Sequence, residues 1–306
     1  MIKALLIVLL SACLAALNVP ASQFLLGKVP ALLMGSLTFL GASLGTGIIF
    51  LIRVLRDRKN VKFLSGRDWL SVLCINVIDT AANIMLFYGI KLLSGETASL
   101  LQSFETVTTA VVAYFLFKEK PSWRLLTGIV VILGASVLLS FDPMKGYEFQ
   151  PACLLIVGAT ICWGFDNNFM KNVSSKDPFE FAFMKCLIPG IVIFIIAAAF
   201  GQIETTWAFA GLSLLDGFVA YGLSVTLLLL GFRKLSASLG TAVYAMNPFI
   251  GAALSLIFFP KAPAWTFYVS IVLMLIGEGV VALDAHFSEK KKKTPNKTTG
   301  EDIIQP

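Results

Sequence analysis

Leu93 to Trp123 reads LSGETASLLQSFETVTTAVVAYFLFKEKPSW, and a degraded copy returns at Leu235 to Trp265 as LSASLGTAVYAMNPFIGAALSLIFFPKAPAW. A constant offset of 142 carries Leu93 to Leu235, Ser94 to Ser236, Phe117 to Phe259, Pro121 to Pro263 and Trp123 to Trp265, and Gly89 just upstream falls on Gly231. A gap-free correspondence this long marks a chain built twice from one unit. A second offset, 148, relates the openings of the two units: Asn18 to Asp166, Lys28 to Lys176 and Pro30 to Pro178.

What kind of unit it is follows from composition. Of 306 residues, 57% are hydrophobic and 14% charged, with a mean hydropathy of +0.85, far from the balance of a soluble domain. Apolar segments of about 20 residues, enough to cross about 30 Å of hydrocarbon as helix, recur along the chain. Ten are expected: Met1–Leu26, Pro30–Ile52, Trp69–Lys91, Thr97–Phe117 and Trp123–Phe141 in the first unit, then Pro151–Met170, Phe179–Phe200, Gly211–Phe232, Ser238–Phe259 and Ala264–Ala285. The fold class is thus all-α transmembrane, ten helices as two inverted five-helix repeats. The domains are residues 1–142, residues 151–285 and a basic, disordered cytoplasmic tail, 286–306, too poor in apolar residues to fold alone.

Leu10-Ser11-Ala12-Cys13 has the look of a lipoprotein cleavage box. The apolar run continues past it, and a removed leader would leave the first unit one helix short, so the segment is read as span one. Cys13, Cys74, Cys153, Cys162 and Cys186 all lie in apolar segments without a CxxC pair, which implies neither a disulfide framework nor a metal site. No cofactor is expected. The formal net charge of +6 sits in short loops and the tail, a pattern of membrane topology rather than nucleic-acid binding.

Placing the N-terminus in the cytoplasm gathers Lys3, the basic loop from Arg53 to Arg67, Lys118, Lys120, Arg124, Lys171, Lys176, Arg233, Lys234 and the tail on one side. Lys28, Lys91, Lys145 and Lys261 remain on the other, so both termini are expected inside. An odd number of spans per unit makes the second copy insert upside down. Inverted repeats of this kind place a substrate site near mid-bilayer at their interface.

Ionisable side chains at membrane depth are costly and face a cavity or a partner. Asn76, Asp79 and Asn83 share one face of span three; Ser99, Gln102, Glu105, Thr106 and Thr109 share one face of span four, with Glu105 near its midpoint. The offset of 142 pairs Glu105 with Asn247, Thr106 with Pro248 and Gln102 with Tyr244. Pro248 removes a backbone donor, which lipid tolerates only beside a cavity or a compensating neighbour. In span six Asp166, Asn167 and Asn168 are consecutive, so at most two line a site. Glu278 stands alone in span ten, and Lys185 lies close enough to the cytoplasm to snorkel. Asn18, Asn76, Asn167, Asn168 and Glu278 serve equally well as plain interhelical hydrogen-bonding groups. Trp123 and Trp265 read as interface anchors, Lys118 and Glu119 as a solvated helix-end pair, and Gly41, Gly45 and Gly47 as helix-packing positions. The mid-depth acids have no basic side chain opposite them unless it is Lys185, and two outcomes follow. Either a carboxyl is kept neutral by desolvation and can load and release a proton, or a cationic part of the substrate neutralises it.

SLLQSFETVTTAVVAYFLFKE, CWGFDNNFMKNVSSKDPFEFAFMK and YGLSVTLLLLGFRKLSASLGTAVYAMNPFIGAALS together resemble the drug/metabolite transporter superfamily, in the branch built from two EamA domains. The resemblance spans residues 1–285. It implies a central cavity lined by the first, third, fourth, sixth, eighth and ninth helices, with Glu105, Asp79, Trp163, Asp166, Tyr221, Tyr244 and Asn247 as liners and Glu278 on a peripheral helix. Thr106 stands where that branch usually has proline, and Pro260-Lys261 replaces its second Gly-Glu pair.

The function expected is a secondary transporter in the plasma membrane that exports a small organic metabolite, amino-acid-like or similar, by alternating access. Glu105, Asp79, Asn83, Gln102, Trp163, Asp166, Tyr221, Tyr244 and Asn247 are its binding or coupling residues. Its partners are the lipid bilayer, the solute and a proton or other coupling ion; a homodimer stays open. Efflux of cationic drugs, drawn to the faces of Trp163, Tyr221 and Tyr244, is the alternative. A membrane enzyme has less support: His286, the single histidine, sits at the membrane exit, and no nucleophile with a base is visible. ATP-driven transport lacks a GxxxxGK[ST] loop. A non-transporting membrane protein would give the polar stripes no reason to meet.

Overall fold

The structure is a computed structural model, and it describes residues 2–66, 68–117, 122–143, 146–173, 175–233, 235, 240 and 243–293. Lys118 and Glu119, Lys145, Lys234 and residues 294–306 of the tail lie outside the described residues, as does the side chain of His286.

The first unit comprises α1 (Ile2–Ala16), α2 (Asn18–Leu25), α3 (Ala31–Asp57), α4 (Asp68–Leu92), α5 (Gly95–Leu101), α6 (Phe104–Phe117) and α7 (Trp123–Leu139). A two-residue hairpin, β1 (Phe141–Asp142) against β2 (Glu148–Phe149), antiparallel with Phe141 facing Phe149, leads into the second unit. There α8 (Cys153–Val173), α9 (Pro178–Ala199) and α10 (Trp207–Asp216) are followed by a π-helical stretch, Gly217–Leu223, then α11 (Ser224–Phe232), α12 (Asn247–Phe258) and α13 (Trp265–Lys293). Seven helices among the described residues are long and apolar enough to cross a membrane, with α1 and α2 forming one of them. The remaining crossings use shorter pieces: α5 with α6, α7, and α12.

Side chains cap the starts of two helices. Asp177 caps α9, its Oδ1 accepting from the N–H groups of Phe179 (3.0 Å) and Glu180 (3.3 Å), with Pro178 at the first helical position. Ser122 Oγ caps α7 through the N–H of Leu125 (3.1 Å). The end of span ten departs most from expectation. The final helix runs to Lys293, into the stretch read as a solvated tail, because Glu and Lys are good helix formers and simply prolong span ten.

Packing follows the internal repeat. The second spans of each unit, α3 and α9, lie against each other, as do the fourth (α5 with α12) and the fifth (α7 with α13). The first span of one unit packs on the third of the other: α1 on α11, and α4 on α8. Exchanging the units leaves this pattern unchanged, as a two-fold axis requires. The axis region closes through glycines. A Cβ on Gly41 would meet the backbone of Leu214, and one on Gly217 the backbone of Thr38, so α3 and the third span of the second unit cross in backbone contact.

Besides the π-helical stretch of span eight, three crossings are irregular within their length. Span one bends at Leu17, whose N–H bonds Leu14 at 3.1 Å. Span four breaks at Gln102–Ser103, where both N–H groups reach back only three residues, to Ser99 (3.1 Å) and Leu100 (3.0 Å). Span nine turns at Ala245–Met246, just before α12, with the Met246 N–H on the Val243 carbonyl (3.3 Å). Gln102 and Ser103 are the repeat equivalents of Tyr244 and Ala245 under the offset of 142. The two copies therefore break at matching depth, although only the second carries a proline there.

Candidate functional site

The irregular segments surround a buried polar cluster. Asp79 projects from α4, Asp166 from α8, Lys185 from α9 and Tyr221 from the π-helical stretch. Lys185 Nζ is ion-paired to Asp166 Oδ2 and to Asp79 Oδ2, the latter at 3.1 Å. The Tyr221 hydroxyl donates to the same Asp79 oxygen at 3.4 Å. Asp79, Asp166 and Lys185 are 0%, 3% and 2% exposed, so the triad is withdrawn from the outer surface of the bundle. The π-helical stretch is what aims Tyr221, since its widened turn rotates that ring onto Phe39, centroids 4.9 Å apart.

A second group lies one helix away. Glu105, on α6 just beyond the break in span four, accepts from Asn167 Nδ2 at 2.6 Å, and the same amide reaches Thr109 Oγ1 at 3.3 Å. Asn168 points elsewhere, to the carbonyls of Gly164 (2.7 Å) and Thr109 (3.2 Å). Of the three consecutive polar residues of α8, Asp166 and Asn167 face the cavity and Asn168 stitches helices together. Asn18 Nδ2 donates to Asp216 Oδ2 at 3.1 Å.

Between these groups lies a cavity of about 80 Å³, lined by Asn18, Gln102, Glu105, Trp163, Asp166, Asn167, Lys185, Tyr221, Tyr244 and Asn247 together with aliphatic side chains. That is space for about two or three waters. The helices are thus drawn close around the site. Asn83 lines a narrow extension with Thr38, Phe39 and Trp163. Asp79 lies behind Lys185 and Tyr221 rather than on the cavity wall. Every other residue expected at the site reaches one of the two spaces; the repeat equivalents Asn18 and Asp166, Glu105 and Asn247, and Gln102 and Tyr244 share the cavity, and Asp79 and Tyr221 meet beside it.

Two expectations are corrected. Lys185 does not snorkel; acids from two other helices hold its ammonium inside. Glu278 does not stand alone, for it is buried and shares a small pocket with Glu105, Thr106, Tyr244 and Pro248. Asp216, the partner of Asn18, is absent from the sequence reading, although an acid inside the apolar span eight is its signal.

A ten-helix bundle of inverted repeats, with discontinuous helices meeting at a mid-depth polar cluster, defines the class: a multi-pass membrane protein of transporter architecture. The EamA-like transporter family model matches residues 2–141 and 150–283. The chain belongs to that family. It is similar to an uncharacterized transporter of Methanothermobacter thermautotrophicus, 24% identical over 221 residues, covering 70% of this chain and 64% of the relative. It is also similar to an uncharacterized solute carrier family 35 member of Schizosaccharomyces pombe, 23% identical over 211 residues, covering 65% of this chain and 42% of the relative. The chain thus spans less than two thirds of the length of either relative. A solved crystal structure shares the fold, with a TM-score of 0.67 at 19% identity over 94% of this chain and 99% of the other.

Proposed function

We propose that the chain is a secondary transporter that exports a small amino-acid-like metabolite across the plasma membrane, both termini cytoplasmic, by alternating access of its two halves. One observation carries this reading: broken helices from both units converge on a small cavity with the carboxylates of Glu105 and Asp166 and the Lys185 ammonium at its wall, and the Asp79 carboxylate directly behind them. Two negative charges remain in surplus. A solute bearing an amine supplies the missing charge, and Glu105, held only by the neutral Asn167, is the carboxylate free to take it or a coupling proton.

Efflux of cationic drugs draws support from the rings at the wall, yet the face of Tyr221 is already turned to Lys185, whose Nζ lies 6.0 Å from the ring centroid. Trp163 and Tyr244 remain for such a ligand. The test is efflux from sealed vesicles loaded with a mixture of amino acids and amines, comparing wild type with Glu105→Gln. Faster release of at least one amino acid by wild type than by Glu105→Gln is expected. Equal release by both variants refutes the role of Glu105, and release no faster than from empty vesicles refutes transport of this class.

A further inference from the structure

Away from the central cluster, the loop after α3 meets the loop between α8 and α9. The Asp177 N–H bonds the Lys62 carbonyl at 2.9 Å, Glu180 accepts the Leu64 N–H at 2.8 Å, and Arg233 at the end of α11 donates to the Lys176 carbonyl. These contacts enclose a pocket of about 390 Å³ lined by Arg53, Asn60, Lys62, Ser175, Asp177 and Arg233. Arg53, Asn60 and Lys62 come from the first unit, the other three from the second.

The charges in this pocket do not balance. Asp177 is the single acid on its wall, and both of its oxygens are engaged: Oδ1 caps α9, and Oδ2 pairs with Arg53 at 3.3 Å. Arg53 is further held against the Phe179 ring, 5.1 Å from its centroid. Arg233 is bonded to a neutral carbonyl, and Lys62 has no ion pair among the described residues. Of the other acids of this region Asp68 is paired with Lys176 at 2.8 Å, while Asp57 and Glu180, which accept from the Asn60 amide and the Leu64 N–H, lie off the pocket wall. Two positive charges are left facing a concave polar space beside the hydroxyl of Ser175.

We propose that this pocket binds a phosphate-bearing anion, drawn either from the headgroup of an anionic lipid or from a free phosphate compound. A guanidinium, an ammonium and a hydroxyl around one concavity match tetrahedral phosphate oxygens in number and charge. Basic pockets between helices at a charged membrane face are where such headgroups settle. Because the walls come from both units, the bound anion ties them together at one membrane face. The site stands whether or not the central cavity carries an amino acid.

The purified full chain in neutral detergent, titrated separately with short-chain phosphatidylglycerol, short-chain phosphatidylcholine and inorganic phosphate, tests this through the rise in unfolding temperature. Phosphatidylglycerol is expected to half-saturate at lower concentration than phosphatidylcholine. Lys62→Gln with Arg233→Gln is expected to weaken it about fivefold for each cation removed. Arg56→Gln with Lys59→Gln, exposed cations off the pocket wall, is expected to leave it unchanged. Inorganic phosphate that stabilises the protein and competes with the lipid supports the pocket and identifies the free anion as its ligand; lipid binding without that competition supports it with the headgroup as ligand. Equal weakening by the two double variants reduces the site to a diffuse basic surface, and equal affinity for both lipids with no phosphate effect removes it. Either result overturns the proposal.

Discussion

Replacing Lys185 with methionine keeps the length of the side chain and removes its charge. In the folded protein that ammonium serves two buried carboxylates at once. Asp79 would keep the Tyr221 hydroxyl at 3.4 Å, whereas Asp166 would keep no hydrogen bond among those found for the described residues, its Oδ1 being already unpartnered. Removing one partner of a buried ion pair costs about 3–5 kcal/mol, and stranding two carboxylates places Lys185→Met at the upper end of that range. A purified sample in detergent should then unfold on the order of 10 °C below wild type. The triple variant Lys185→Met, Asp79→Asn, Asp166→Asn leaves no charge of the triad unpaired and should recover most of the loss, since neutral replacement of a buried triad is close to neutral in stability. Thermal unfolding read by monodisperse fraction in size-exclusion chromatography distinguishes the three proteins. If Lys185→Met unfolds with wild type, the ammonium reaches the membrane surface after all and the triad does not hold the helices.

Asn167→Ala removes the 2.6 Å bond to Glu105; a loss of about 1.5–3 kcal/mol is expected in the same unfolding assay, and unchanged solute affinity in the surviving fraction would make Asn167 a packing residue. Gly217→Ala drives a methyl group into the Thr38 carbonyl, so the backbones must part, with an expected destabilisation of about 1–3 kcal/mol; the same methyl on Gly134, which meets nothing within 4 Å, is the neutral control. Cysteines placed at Lys145 and Arg233 should label with an impermeant thiol reagent from opposite sides of sealed vesicles, and labelling from one side would show that the units are not antiparallel.

The architecture was legible because it is written as periodicity. An offset of 142 predicts that Asp79 and Tyr221 are equivalent, and a two-fold axis brings equivalent positions near it into contact, as their hydrogen bond shows. The polar stripes on spans three and four likewise point into the bundle. What the one-dimensional pattern cannot carry is which helix lies opposite. Lys185 is within stem length of the surface by count of residues, and only the arrival of Asp79 and Asp166 from two other helices decides that its ammonium turns inward. The break at Gln102–Ser103 has no proline to announce it. The family resemblance implies a peripheral helix for Glu278, whereas the side of span ten it occupies faces the Glu105 region.

The contact between Asp79 and Tyr221 bears on ancestry. When two separate copies of one polypeptide associate about a dyad, whatever sits on the dyad must be its own complement: aspartate would confront aspartate there, and glutamate would mirror glutamate at the positions now held by Glu105 and Asn247. Gene fusion lifts that constraint. Once joined, each half can mutate without its twin, so an acceptor on one side can acquire a phenol on the other, and mutual repulsion gives way to a heterologous bond.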